Sequence, residues 1–306
     1  MSSLFVFPGQ GAQRVGMLHG LAPLILDEAG DVLGEDVLRL DSPEALQSTR
    51  AVQLCLLIAG VAAARRLLEQ APAPDYVAGL SIGAYPAAVV AGALDFEDAL
   101  RLVSLRGELM QQAYPQGYGM TAIIGLDLAA VEALLAQVHS ETTPVYLANI
   151  NADNQVVIAG SDEAMDLVAE QARRQGAGKA CRLAVSVPSH CPLLEAPART
   201  LAEAFAEVPL KAPVLGYLSG SRARPVIKVE ALRDDLAFNM CRVVDWRGTV
   251  QSAYERGVRL QIELPPGAVL TALARRVFEQ GCVMAFDGAR LDTLQALLRE
   301  EGSRQP

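Results

Sequence analysis

The sequence predicts an α/β protein in which one large domain is interrupted by a small inserted one. Short apolar, strand-sized runs alternate with helical stretches over most of the 306 residues. At 76–92 a short apolar strand runs into Gly79-Leu80-Ser81-Ile82-Gly83, and a helix of small residues leaves it. Residues 119–187 read in the order β-α-β-β-α-β, that of a ferredoxin-like unit, and differ from what flanks them. The large domain is therefore expected over 1–118 and 188–306, with the insert over 119–187.

Composition suits this division. A content of 51% hydrophobic and 20% charged residues leaves ample material for a core. The formal charge of −9 argues against nucleic acid and anionic membrane as partners. Only Lys179, Lys211 and Lys228 are lysines, so arginine, which grips carboxylates and phosphates bidentately, carries nearly all the positive charge. Cys55, Cys181, Cys191, Cys241 and Cys282 are odd in number and show no C-x-x-C spacing, as expected of reduced thiols in a cytoplasmic protein. No basic segment or signal-peptide pattern precedes the first strand. The longest apolar run, Ala51 to Ala64, is interrupted by Gln53 and reads as a buried helix too short to span a bilayer.

Taken in order, residues 3–7 form a buried strand ending in the turn-rich loop Pro8-Gly9-Gln10-Gly11-Ala12-Gln13. A strand ending in such a loop is where open α/β sheets place ligands. Ser42 and Pro43 start a short helix, as N-cap and first helical residue. A long apolar helix covers 50–69, and after the elbow Asp95 opens another to about Ala113. Within the insert, strands are expected at Met120–Gly125, Pro144–Asn149, Gln155–Ala159 and Lys179–Val187, with helices at Leu128–Val138 and Asp162–Arg174. The residues Asn151–Asn154 separate its two middle strands, and an Asp caps its second helix. The large domain resumes with helices at 193–207, 229–240, 245–256, 268–280 and 290–301, and strands at 213–218, 258–264 and 283–286.

Chemistry centres on Gly79–Gly83, the G-x-S-x-G nucleophile elbow that lifts a serine hydroxyl out of a sharp strand-to-helix turn. The glycines serve a turn with no room for Cβ atoms, and the following helix N-terminus offers N–H groups to an oxyanion. The ordinary alternative is a strand–helix turn with Ser81 as N-cap. A serine nucleophile needs a base, and three histidines are available. His139 ends a helix, where the dipole explains it, and His19 lies in a plain turn. His190, bracketed by Pro188 and Pro192 at the expected domain junction, is the candidate base, with no acid marked out as its partner. Arg106 is the second informative residue. At about 100° per residue it falls among Ala99, Leu102, Val103, Leu109 and Met110 on the apolar face of its helix. A buried arginine must be paired, either to an internal carboxylate or to a substrate carboxylate held bidentately. The second alternative selects an acyl group with a free acid at its far end, of which malonyl is the simplest.

Several motifs together carry a family resemblance. Phe7–Gln13, the elbow, Leu105-Arg106-Gly107, Asn154–Gly160, Val187–Pro192, Asn239 before Val244-Asp245-Trp246, and Glu263–Thr271 occur in the order seen in malonyl-CoA:acyl-carrier-protein transacylases. The resemblance implies an α/β-hydrolase-like core with a ferredoxin-like insert. It also implies that Ser81 carries the malonyl group, His190 is the base, and the backbone carbonyl of Asn239 orients the His190 ring. Arg106 would bind the malonyl carboxylate, the N–H groups of Gln10 and Ile82 would form the oxyanion hole, and Gln155 and Asn151 would lie near the substrate. Malonyl-CoA and a carrier protein with a phosphopantetheine-type thiol are the implied partners, with no metal and no cofactor beyond the CoA thioester itself.

Departures from the family pattern narrow the expectation. Leu80 stands where the elbow usually has His, Ala84 where Glu is frequent, and Pro265-Pro266-Gly267 where Gly-Pro-Gly is usual. The combination looks most like the branch that serves malonate decarboxylase as its epsilon subunit, with that enzyme's other subunits as possible partners. The alternatives are a fatty-acid-synthesis malonyl transacylase, a serine thioesterase or esterase, and a non-catalytic subunit that docks a carrier protein. Docking of an acidic carrier would use a basic patch, for which Arg173, Arg174, Lys179 and Arg182 are candidates against a plain solvated surface.

Overall fold

In chain order, β1 (Ser2–Phe7) and β2 (Tyr76–Gly79) precede four strands of a second sheet, β3 (Tyr118–Ile124), β4 (Val145–Ala152), β5 (Gln155–Ser161) and β6 (Lys179–Arg182). They are followed by β7 (Gly216–Ser219), β8 (Arg224–Pro225), β9 (Val244–Asp245), β10 (Val258–Glu263) and β11 (Cys282–Ala285). These assignments come from a computed structural model that describes residues 2–303. The larger sheet runs β11-β10-β1-β2-β7-β8, parallel except for β8. β1 is buried on both faces, which is why residues 3–7 read as an uninterrupted apolar run. The chain moves outward from β1 through β2 to β7 and returns to β10 on the other side. Ligands of open α/β sheets sit beyond the carboxyl ends of strands at such a reversal, here the ends of β1, β2 and β10.

The second sheet has the order β6-β3-β5-β4-β9. Its first four members are antiparallel and carry helices Leu128–Val138 and Asp162–Arg174, whose apolar stripes form a separate core around Val131, Leu134, Met165 and Val168. Two-residue β9 belongs to the later chain yet pairs parallel with β4, Asn149 opposite Val244. It continues the second sheet with a strand from outside 119–187.

The main core surrounds helix Thr49–Leu68, of which 15 residues are buried. At 20 residues this helix is long and apolar enough to cross a membrane, contrary to the expectation that the run is too short. Its burial matches the expectation of a core helix. The sequence reading also overlooks helix Pro23–Leu33, which begins on Pro23 and ends at Gly34 with a left-handed φ of 68°.

Several expected boundaries move, among them the strand expected over 213–218, which is Gly216–Ser219. β6 stops at Arg182, not Val187, because Leu183 N–H makes the last bond to β3 at Met120 O, near the point where β3 begins. Asn151 and Ala152 belong to β4, which leaves Asp153 and Asn154 as the turn. The helix expected over 268–280 is confined to Val269–Ala274, after which the chain turns and Phe278 packs on Tyr254 with ring centroids 5.3 Å apart. Helix Asp162–Arg174 is capped by Ser161, whose hydroxyl accepts from Ala164 N–H, instead of by an Asp.

Candidate active site

The elbow is held by contacts that its sequence dictates. Leu80 N–H donates to Phe7 O at 2.9 Å, fastening the turn to the end of β1. A Cβ on Gly79 would lie 1.9 Å from the Gly83 carbonyl carbon, and one on Gly83 would lie 2.2 Å from Phe7 O, so both positions exclude a side chain. Between them Ser81 takes φ 56°, a left-handed conformation that is uncommon for a non-glycine residue and clusters at functional sites. Ser81–Gly83 form a 3₁₀ turn before helix Ala84–Val90, and the Ser81 hydroxyl makes no capping bond. It accepts instead from Arg106 Nη2 at 3.3 Å. The N-cap alternative is not what the structure contains.

Arg106 sits in the middle of helix Phe96–Ala113 and is wholly buried, with Ala99, Leu102, Val103 and Met110 on the same face. Its Nη1 donates to Gln53 Oε1 at 2.6 Å and its Nη2 to Asn239 Oδ1 at 3.0 Å, while Nε has no partner. Among the described residues no Asp or Glu pairs with it, so the internal-carboxylate alternative is not realised. The guanidinium lies 5.8 Å from the centre of the Tyr85 ring, whose hydroxyl is tied to Leu236 O. Burial pushes the Arg106 pKa down from its usual value, the expected penalty on a desolvated cation.

His190 is 3% exposed and also has a left-handed backbone, at φ 64°. Its N–H donates to Met240 O at 2.7 Å, and its Nδ1 lies 2.8 Å from Asn239 O. A carbonyl only accepts, so Nδ1 carries the proton and Nε2 keeps its lone pair. Burial first, and then the nearby Arg106 charge, lower the His190 pKa to about 4. The imidazole is therefore neutral at ordinary pH. The Asn239 side chain contributes separately, with Nδ2 donating to Ser81 O at 3.4 Å.

Ser81 and His190 line one cavity of about 250 Å³, which lies between the ends of the larger sheet and a face of the second. Gln10, Leu80, Asn151 and Gln155 line it too, so the structure gathers these expected residues at one place. Ile82 is wholly buried in the core and is not among the residues that line the cavity. Gln10 occupies the loop after β1, and that loop presses on the elbow: a Cβ on Gly9 would lie 3.1 Å from Leu80 O. The buried Oδ1 atoms of Asn149 and Asn151 have no hydrogen-bond partner and mark the polar side of the cavity. Among the described residues, no group of three or more His, Cys, Asp or Glu is placed to hold a metal.

The sequence reading missed Gln53 and Asn149. Gln53 is fully buried and joins Arg106 to the loop after β1, its Nε2 donating to Gln10 Oε1 at 3.2 Å. Its signal was the single amide in an otherwise apolar run; nothing in the sequence indicates its partner 53 positions later. The ordinary explanations of the other histidines are sufficient. His139 caps its helix and its Nδ1 faces Val145 O, and His19 is exposed near Asp41. All four basic-patch candidates are exposed; Arg173 donates to Ala180 O, Arg174 pairs with Glu170, and Arg182 bonds Tyr118 O and pairs with Asp162.

Comparison with known proteins identifies the family. The acyl transferase domain family matches residues 4–303. The malonyl CoA-acyl carrier protein transacylase of Haemophilus influenzae is 40% identical over 284 residues, covering 89% of this chain and 91% of that one. The structure of the malonyl CoA-acyl carrier protein transacylase of Coxiella burnetii superposes with a TM-score of 0.92 at 35% identity, over 98% of each chain. A type II PKS acyl-carrier protein in complex with its malonyl-transacylase gives 0.90 at 37% identity, over 97% of this chain and 99% of that one. These matches favour the transacylase alternative and lend no support to a malonate decarboxylase subunit. With the family match spanning nearly the whole chain, this protein is an acyltransferase that belongs to the malonyl-CoA–acyl carrier protein transacylase family.

Proposed function

We propose that the protein moves a malonyl group from malonyl-CoA to the thiol of an acyl carrier protein through an ester on Ser81. The observation that carries this reading is Arg106, a fully buried cation beside the nucleophile with no acidic partner among the described residues. Such a charge is costly unless something anionic meets it, and an acyl group ending in a carboxylate does so. An esterase or thioesterase gains nothing from that cation, and a non-catalytic docking subunit needs neither it nor the strained serine.

In the first half-reaction His190 Nε2 takes the Ser81 proton as Oγ attacks the thioester carbonyl. The Asn239 carbonyl holds the ring in the productive tautomer throughout. Backbone N–H groups of Gln10 and Ile82 receive the oxyanion, where one donor is worth ~2.7–4 kcal/mol. His190 returns the proton to the departing CoA thiol. The carrier's phosphopantetheine-type thiol then attacks the Ser81 ester, giving its proton to His190, which passes it back to Ser81 Oγ. Asn151 and Gln155 bound the substrate side of the cavity and Leu80 forms part of its apolar wall. No metal takes part in these steps, and the CoA thioester is the substrate.

A transacylase of the kind that feeds fatty-acid synthesis is the better supported form of this reading, since the relatives bear the transacylase name. One observation favours the malonate decarboxylase branch: Leu80 lines the cavity where the family usually has His. The complex of a carrier protein with its transacylase supports a carrier as acceptor. We read the chain as cytoplasmic, with an α/β-hydrolase-like domain over 1–118 and 188–306 and a ferredoxin-like insert over 119–187. The strand order of the second sheet supports the latter. Arg106→Ala tests the reading: malonyl transfer should fall far more than acetyl transfer, and equal losses would make the arginine structural.

A further inference from the structure

All three acceptors of the Arg106 guanidinium are neutral: the Gln53 amide oxygen, the Asn239 amide oxygen and the Ser81 hydroxyl. Gln53 is fully buried and Asn239 5% exposed, so water does not share these bonds freely. Buried arginines are ordinarily matched by carboxylates. A buried carboxylate does lie one turn before Asn239, but Asp235 is already held by Tyr217 Oη at 2.9 Å, Ser219 Oγ at 2.6 Å and Ser221 Oγ at 2.8 Å. Like Arg106 itself, which reaches the site through its bond to Ser81 Oγ, neither Gln53 nor Asn239 lines the cavity, and both bond the Arg106 fork from behind it.

We propose that the side chains of Gln53 and Asn239 are specificity-determining positioning residues that fix the Arg106 fork without neutralising it, reserving its charge for the acyl carboxylate. A carboxylate at either place would hold the fork equally well in shape. It would also supply an internal counter-ion that competes with the substrate. The inference rests on the reading of Arg106 as the partner of the malonyl carboxylate.

Gln53→Glu, Asn239→Asp, Gln53→Met and Arg106→Ala are compared by kcat and KM for malonyl-CoA and acetyl-CoA, with thermal midpoints measured alongside. Gln53→Glu should lower the malonyl-to-acetyl ratio of kcat/KM roughly 10- to 100-fold, about the size of one charge-assisted hydrogen bond, chiefly through a higher malonyl-CoA KM. Asn239→Asp reports the same effect independently. Gln53→Met removes one bond but adds no charge, and should slow both substrates while holding the ratio within about threefold of wild type. If both acidic variants keep the wild-type ratio while Arg106→Ala collapses it, the proposal is wrong and the role of Arg106 stands. A ratio that falls as far in Gln53→Met as in Gln53→Glu also overturns it. A ratio untouched by Arg106→Ala removes both this inference and the reading beneath it.

Discussion

Replacing Arg106 by alanine removes one charge and three hydrogen bonds at 2.6, 3.0 and 3.3 Å, and two consequences separate by substrate. Loss of the guanidinium from the Gln53–Asn239–Ser81 network perturbs the nucleophile whatever the acyl group, so malonyl and acetyl transfer share that cost. Malonyl loses in addition the attraction between its carboxylate and the cation. At a separation of about 4 Å and an effective dielectric of about 20, that attraction is ~4 kcal/mol. Part of it is offset by the cost of taking the substrate carboxylate out of water. The remaining ~1.4–2.7 kcal/mol corresponds to a roughly 10- to 10²-fold fall in malonyl kcat/KM beyond the fall for acetyl. Single-turnover acylation of Ser81 from each CoA thioester measures it, and the acetyl reaction reports any general damage. A malonyl-to-acetyl ratio within about threefold of wild type, well under 1 kcal/mol, would refute the argument.

Two further outcomes are expected. His190 must be neutral to accept the serine proton, and burial together with Arg106 disfavours its charged form, so activity should be lost only as pH falls through the lowered value of about 4. An acid limb of kcat/KM centred near the unperturbed ~6.5 would contradict this placement of the ring. Gly83→Ala drives a Cβ to 2.2 Å from Phe7 O and 2.9 Å from Pro8 O, backbone atoms that cannot swing aside. It should cost about 1–3 kcal/mol or more in denaturant unfolding, and a displacement of ~1 Å at the elbow should slow acylation about 10²-fold. Wild-type stability and rate together would show that the turn has slack the distances deny.

What the sequence reveals here follows how local each signal is. Ser81 is legible because glycines two residues to either side have one compact geometry in common, and Arg106 because helical periodicity puts a charge on an apolar face. His190 is legible through its flanking prolines. The acceptor for its Nδ1 is a main-chain carbonyl, which any residue supplies, so only the family resemblance pointed to Asn239. Gln53 announces itself as a lone amide, yet its meaning depends on a helix 53 residues away. β9 is two residues long and exists through pairing with β4, so no local pattern marks it. Helix Pro23–Leu33 is different: Pro23 and Gly34 bracket it in the usual way, and its signals were present but unread.

The central claim is a malonyl ester on Ser81 that a carrier thiol, and not water, discharges. Intact-mass measurement after mixing the protein with malonyl-CoA tests it most directly, with several holo carrier proteins and buffer alone as acceptors. One malonyl adduct is expected on the wild-type chain, absent from Ser81→Ala, stable in buffer and lost to at least one carrier with matching gain of mass on that carrier. A malonyl adduct that persists in Ser81→Ala, or one that water removes as fast as any carrier does, would contradict the account.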